Sequence, residues 1–434
     1  MSAPTAEDPP DPVNTVADAY VAGYALVVTT RTMQLLGGLL GVNRLSWQRA
    51  LAGPRTRVIV APNRDTLYSS AVLDLRAEPM VLTLPEVVDR YFSYQLLDAW
   101  TESFAYVGTR THGGRAGRWA VVPPGWEGEL PDDVERIDAP TPQVFLLGRF
   151  LADDQADVAA VLAIAEESSL EPLSVVVGIP SPPPPPPLAA APGAAQAVPH
   201  DATFFPELAA ALAVNPPTTG EDRRRFAALA ELGVDAEQAV DLATLDADLL
   251  AVLDEGAARG SLDIDRLRDG RADVVDGWAV NRHVGTYGDD VLLRAHVARI
   301  GWGANVPEEA LYPLTRTDAE GRPLEGTETY RVRFPPGGLP PVDAFWSLCA
   351  YGDDLFFTEH PSDRYHIGDR TPHLVVGDDG SAEIVLSHHR PEGADETVGW
   401  LPVPEGRFRL MLRLYLPGDA VLDGTYRYPP VERT

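Results

Sequence analysis

The chain contains no lysine: all 35 basic residues among its 434 are arginine. That absence removes Schiff-base catalysis by a lysine amine, anchoring of pyridoxal phosphate and the phosphate-binding lysine of a P-loop. Cysteine is almost as scarce. The single Cys349 excludes an intramolecular disulfide and any multi-cysteine metal site, and its place in the apolar run Ala344–Tyr351 marks a small buried residue and not a nucleophile. Positive charge is in short supply as well, since 64 acidic residues give a net charge of −29. Nucleic acid and anionic membrane surfaces are therefore not expected partners, because both are gripped through basic patches. No apolar run reaches the roughly 18 uninterrupted residues of a membrane span, and Met1–Asp8 has no basic region ahead of an apolar one. The expectation is a chain with no signal peptide and a cytoplasmic location.

Several catalytic signatures are missing too. No Gly-x-Ser-x-Gly elbow occurs, and Ser93 and Ser347 sit inside apolar strand-like runs. Gly285-Thr286-Tyr287-Gly288 is not followed by a dinucleotide fingerprint. His388 and His389 are adjacent, so a strand points them to opposite faces, while His360 and His366 flank a loop around Tyr365. No His-x-His with a later Glu and His is present, which counts against a metal-dependent double cupin. No resident cofactor and no metal site are expected.

What the chain does contain is a dense polar stretch, Ala61-Pro62-Asn63-Arg64-Asp65-Thr66-Leu67-Tyr68, between an apolar run and a strand-like one. Ahead of it lie an acidic, proline-rich tail (1–13) and a helical segment (14–56), with Thr15 and Asp18 as a capping pair and Ala17, Tyr20, Val21, Tyr24, Ala25 and Val28 on one face. Short β-type runs follow: Val58–Val60, Ala71–Leu75, Met80–Leu84, Tyr91–Leu97, Trp119–Val122 and Val144–Leu147. Their spacing predicts an antiparallel sandwich or barrel over 57–175, with a helix near Asp153–Leu170. Ser181 then precedes six prolines, Pro182–Pro187, and an Ala-rich tail to Ala197. This reads as an extended linker (176–200) that cannot pack, with a proline-recognising partner as the alternative. Helices are expected over 201–300, and strands return over 301–434 at Tyr330–Phe334, Ala344–Tyr351, His373–Val376, Glu383–Leu386 and Phe408–Leu416.

The two β-rich parts match one another in order. Tyr91-Phe92-Ser93 matches Phe345-Trp346-Ser347 at an offset of 254; Arg110-Thr111 matches Arg370-Thr371 at 260; Pro140-Thr141-Pro142 matches Pro402-Val403-Pro404 at 262; Arg149-Phe150 matches Arg413-Leu414 at 264. Four ordered matches with so little drift imply two related β-domains, and a surface between them is the natural place for a pocket. Tyr330 is placed opposite Tyr68, and the matched arginines are read as structural, satisfying buried carbonyls or a carboxylate.

Pro62-Asn63-Arg64-Asp65-Thr66-Leu67-Tyr68, Asp74-Leu75 and Gln95-Leu96-Leu97-Asp98-Ala99 resemble the domain of unknown function 1254. Asn305–Ala310, Phe345-Trp346-Ser347, Trp400–Pro404 and Arg413–Pro417 resemble the domain of unknown function 1214. The resemblance implies a bacterial α+β protein with two antiparallel β-sandwich, jelly-roll-like domains, an N-terminal helix and a helical middle. Many relatives of this kind are exported, whereas this N-terminus shows no signal.

For chemistry, Asn63, Asp65 and Asp98 form the candidate catalytic set. Two carboxylates sharing a pocket can divide into general acid and general base, giving hydrolysis, hydration or isomerisation, or can hold a loosely bound hard cation. Thr66, Tyr68, Trp100, Thr101, Trp346 and Tyr351 are candidate substrate contacts. The same residues are also explained as a capped turn and packed core, and a non-catalytic protein that binds a small molecule or carbohydrate is the competing reading.

Overall fold

The computed structural model describes residues 11–57, 60–267, 271–372, 374–391 and 399–434. The first ten residues of the expected tail, the expected strand residues Val58 and Ile59, and His373 lie outside them.

Helix Pro12–Leu40 starts three residues before Thr15, because Pro12 fits a first turn and the Asp11 side chain accepts from Val13 N at 3.2 Å. It is buried on nearly all sides and not on one face. Helices Phe204–Leu212, Gly220–Glu231, Ala247–Arg266 and Val291–Gly301 surround it and share one apolar core. Gly256 and Gly260 allow the tightest of these approaches: a Cβ there would lie 2.3 Å from Val16 Cγ1 and 2.8 Å from Ala17 O. Inside this bundle Arg294 donates to both oxygens of Asp222 at 2.7 and 3.1 Å and to Ala22 O at 3.1 Å. Both charged side chains are fully buried, so the pair fixes how three helices meet.

Among the described residues the strands form four sheets. In the first half, Ser46–Trp47, Thr66–Asp74, Gln143–Leu151, Phe92–Asp98 and Ser103–Gly108 form an antiparallel sheet in that order. Val134–Asp138, Gly117–Val122, Met80–Leu84 and Ser169–Pro172 form a second, in which Gly117–Val122 and Val134–Asp138 run parallel. In the second half, Leu314–Thr315, Phe408–Pro417, Val342–Gly352 and His366–Gly368 are neighbours in one sheet, extended by Asp273–Val275 and Trp278–Val280. Gly399–Pro402, Ala382–Ser387, Tyr330–Phe334 and Val431–Arg433 make the other, again with one parallel pair. The protein is thus a mixed α+β fold with several antiparallel sheets.

Side-chain alternation sends Leu67, Leu73, Tyr94, Leu96, Leu146 and Phe150 into a core shared with Met80, Leu82, Trp119 and Val121 of the second sheet. Trp346, Leu348, Leu410, Leu412 and Leu414 do the same in the second half. By the same period, Tyr68, Ser93, Gln95 and Arg149 lie on the other face of their sheet, as do Ser347, Cys349, Tyr351, Arg413 and Tyr415. The strand registers agree in detail. Ser93 is paired with Gly108 on one side and Arg149 on the other, and Ser347 with Gly368 and Arg413.

The proline-rich segment corrects one expectation. Residues 181–197 form no helix or strand and are largely exposed, yet they are tied both to the first sheet's edge at Arg76 and to helix Pro12–Leu40 at Arg31. Arg76 Nη2 donates to Pro186 O at 2.7 Å, and Arg31 Nη1 donates to Ala197 O at 2.6 Å and Ala194 O at 3.2 Å. An extended proline backbone leaves its carbonyls without internal partners, and two arginines take them up.

Candidate functional site

The faces that alternation turns away from the two cores meet each other. Tyr91, Phe345 and Tyr415 interleave, with Phe345 and Tyr415 stacked at 4.3 Å between ring centroids. Two buried acids are exchanged across this junction. Asp65, just ahead of strand Thr66–Asp74, accepts from Ser347 Oγ at 2.6 Å and from Arg370 Nη2 at 3.0 Å, with His366 Nε2 at 3.7 Å. Glu309, just ahead of Ala310–Leu311, accepts from Tyr91 OH at 2.6 Å and from Arg110 Nε at 2.7 Å. Burial opposes ionisation of Asp65, but His366, Arg370 and the Ser347 hydroxyl hold its carboxyl below the ordinary carboxylate value. His366 is itself pushed down by burial, against the pull of Asp65, so Arg370 is the standing counter-charge.

The loop ahead of Asp65 is held rigidly. Asn63 accepts from Asp65 N at 2.8 Å and donates to Thr66 Oγ1 at 3.0 Å and to Tyr415 OH at 2.6 Å. Ala61 sits at φ 49°, a left-handed conformation unusual for a residue with a side chain, and its carbonyl receives Arg413 Nη2 at 2.6 Å. Tyr351 completes the arrangement, donating to Pro62 O at 2.8 Å and lying 2.7 Å from Arg413 Nη2.

Behind this loop lies a cavity of about 330 Å³, walled by both large sheets and by helix Val291–Gly301. Its apolar walls include Leu311, Leu314, Met411 and Ile300, and its polar groups include Tyr68, Tyr312, Arg149, Arg413 and His296. Arg149 lies 5.7 Å from the Tyr68 ring centroid and Arg413 5.4 Å from that of Tyr312. His296 Nδ1 is 3.0 Å from Ile264 O and must carry the proton there, since a carbonyl only accepts; its Nε2 is buried with no partner.

The sequence-predicted residues separate into groups. Tyr68 lines the cavity, while Asn63, Asp65, Thr66 and Tyr351 frame the loop beside it. Asp98 is elsewhere. Along strand Gln143–Leu151, Asp98 is opposite Val144 and Thr66 opposite Leu151, seven residues or roughly 23 Å apart at ~3.3 Å each. The two carboxylates do not share a pocket. Asp98 closes the turn before Ser103–Gly108, its Oδ1 accepting from Trp100 N at 2.8 Å and Glu102 N at 2.9 Å. Burial pushes it up to about 7. Thr101 belongs to that same turn, with φ 69°. Trp100 packs in the helical core and Trp346 in the second sheet core, so neither reaches the cavity.

Arg149, Arg413, Tyr312 and His296 are the residues that reading for paired acids missed. The signal was present: Asp65-Thr66-Leu67-Tyr68 aligns with Glu309-Ala310-Leu311-Tyr312 at an offset of 244. Tyr312, and not Tyr330, shares the cavity wall with Tyr68. Tyr330 lies in the partner sheet, its hydroxyl accepting from Glu325 N. Among the described residues no group of three or more His, Cys, Asp or Glu is placed to hold a metal ion, and no described helix is long and apolar enough to cross a membrane.

These features define a two-part α+β protein whose junction carries a polar cluster and a cavity. Residues 42–172 match the family model "Protein of unknown function (DUF1254)" and residues 309–419 match "Protein of unknown function (DUF1214)". The chain joins a DUF1254 region to a DUF1214 region, in that order. Its fold is similar to the crystal structure of the VPA0106 protein from Vibrio parahaemolyticus, with a TM-score of 0.76 and 24% identity over 98% of this chain and 100% of that one. An uncharacterised protein from Burkholderia cenocepacia is a more distant likeness, at a TM-score of 0.46 and 13% identity over 98% and 94% of the two chains. No curated protein matches.

Proposed function

We propose that the protein binds a small organic molecule in the cavity between its two β-rich parts. The observation that carries this reading is the lining: apolar walls from three separate parts of the chain, with two buried arginines and two tyrosines brought to one space. The polar stretch Asn63–Thr66 then acts as a frame, setting the Ala61 and Pro62 carbonyls that hold Arg413.

The same reading includes a duplication of β-sandwich domains, spanning 57–175 and 301–434. Its support is the equal strand order of the two halves, one parallel pair in each, the matched pairing of Ser93 and Ser347, and the exchanged acids Asp65 and Glu309. Duplication turns two like faces toward each other, and a cavity at their junction collects matched side chains from both.

Acid–base catalysis is the second reading, favoured by one observation: His296 presents a partnerless Nε2 among the residues of this cavity, where an imidazole can exchange a proton with a bound molecule. The test of binding is calorimetric unfolding of the full chain with hexan-1-ol, hexanamide and hexanoate, each at several concentrations. At least one should raise the melting temperature in the wild type and not in Leu314→Trp, which adds bulk at a partly buried wall residue of the cavity. No response to any of the three, or an unchanged response in the filled variant, rejects the cavity as a small-molecule site.

A further inference from the structure

We propose that the molecule taken by this cavity is an organic anion, an apolar monocarboxylate whose carboxylate lies between Arg149 and Arg413; this rests on the cavity being a small-molecule site. Both arginines are nearly inaccessible, at 5% and 4% exposed. The other buried arginines among the described residues have carboxylate partners, Arg31 with Glu207 and Arg294 with Asp222, as do the more open Arg110 with Glu309 and Arg370 with Asp65 at the junction. Arg149 and Arg413 form no ion pair among the described residues. Arg149 donates to Gln95 Oε1 at 2.8 Å, Asn305 Oδ1 at 3.0 Å and Gly303 O at 3.0 Å, all neutral acceptors. Arg413 is held by Ala61 O and the Tyr351 hydroxyl, and its Nη2 stands 3.4 Å from Pro62 O; these are neutral as well.

Two guanidinium charges are therefore held out of water with no carboxylate bonded to either, Asp65 acting on Arg413 only from a distance, and arginine cannot relieve this by losing its proton. Each also keeps its Nε–H without a partner. The faces of Tyr68 and Tyr312 compensate only in part, as a ring quadrupole is weaker than a carboxylate. Asp65 and Glu309 are already committed to Arg370 and Arg110. In a chain of net charge −29, a cavity with an excess of two positive charges is an exception that calls for an anion. A carboxylate has one oxygen for each arginine, and its planar geometry suits guanidinium donors. The remaining walls, Leu311, Leu314, Met411 and Ile300, take an apolar body. A volume of about 330 Å³ is at the small end for ligand sites and suits a small acid.

The experiment compares hexanoate with hexanamide, which has the same shape and no charge, by calorimetric unfolding of the full chain at constant ionic strength. Hexanoate should bind at least about tenfold more tightly than hexanamide, the expected difference for a charge-assisted hydrogen-bonded anion. Arg149→Gln and Arg413→Gln should each bring hexanoate down to the level of hexanamide. Since either variant can fail to fold, wild-type crystals soaked in 6-bromohexanoate give a second measure: the anomalous bromine peak should fall among Leu311, Leu314 and Met411, with the carboxylate at the arginines. Equal binding of hexanoate and hexanamide, with Leu314→Trp abolishing both, overturns the anion and leaves the small-molecule reading standing. A bromine peak elsewhere overturns the assignment, and no response to any probe overturns both.

Discussion

Asp65 and Arg370 are 305 residues apart in the chain and form a buried ion pair at 3.0 Å, with Ser347 donating to the second carboxylate oxygen. Asp65→Asn keeps the shape and removes the charge, leaving Arg370 with the exposed Asp153, at 2.9 Å, as its bonded carboxylate. Breaking a buried pair from one side costs about 3 kcal/mol, so urea unfolding at pH 7 should lose that much. The pH dependence has a definite sign. A carboxyl held below 3.8 in the folded state stabilises at higher pH, and that contribution is lost as pH falls through the folded pKa. Wild type should lose stability on acidification below about pH 4 more steeply than Asp65→Asn; parallel curves in acid would remove Asp65 as the titrating group.

Asp98 predicts the opposite trend. Its folded-state value rises from 3.8 to about 7, so between those values the folded chain holds more protons than the unfolded one. Stability should then decline as pH rises through that window and level off above it, by up to about 4 kcal/mol from this group alone. Both backbone N–H groups bond the same oxygen, Oδ1, which an asparagine can supply. Asp98→Asn should therefore gain most over wild type at pH 8 and much less at pH 5, where only the first part of that decline has occurred. Urea midpoints at the two pH values decide it, and an undiminished decline in the variant would locate the titration elsewhere.

Much of the architecture was legible because it follows from periodicity. Met80–Leu84 and Tyr330–Phe334 occur as strands with the expected ends, since alternating apolar runs bounded by glycine or proline permit little else. Two of the four ordered matches, Tyr91-Phe92-Ser93 with Phe345-Trp346-Ser347 and Arg149-Phe150 with Arg413-Leu414, fall on strands with like neighbours in their sheets, whereas Arg110-Thr111 and Pro140–Pro142 lie outside strands. The site was less legible for a physical reason. Asp65 and Asp98 each adjoin a strand-like run in the sequence, and only strand register shows that they occupy opposite ends of one sheet. Arg149 and Arg413 were visible as a matched pair and were read as structural, which their carbonyl and amide partners support. That neither has a carboxylate could be learned only from what the fold brings near them. The proline run misled in another way: a segment without internal hydrogen bonds can still be tied down by arginines distant in sequence.

That strap gives a third prediction. Arg31 joins Ala194 and Ala197 to Glu207, which accepts from its Nε and Nη2 at 2.7 and 2.8 Å. Arg31→Gln removes the bidentate pair and the carbonyl contacts together, while the segment contributes few apolar side chains to the core. Limited proteolysis within 181–197 should accelerate several-fold, with the global unfolding midpoint lowered by only about 1–2 kcal/mol. Unchanged cleavage would mean that Arg76 and the backbone hold the strap without Arg31.

Gly108 and Gly368 provide the last test, because they serve the two halves in the same way. A Cβ on Gly108 would lie 2.4 Å from Phe92 O, and one on Gly368 would lie 2.2 Å from Trp346 O. Backbone cannot swing aside as a side chain can, so alanine at either position must push the paired strand away. Those strands carry Ser93 and Ser347, which are registered against Arg149 and Arg413. Each substitution should cost about 2 kcal/mol and, through the displaced strand, weaken the response to hexanoate. Similar costs from Gly108→Ala and Gly368→Ala, read by urea unfolding, are what a duplicated device requires; a large cost at one and none at the other would mean that the two halves reached similar strand orders without sharing the contact.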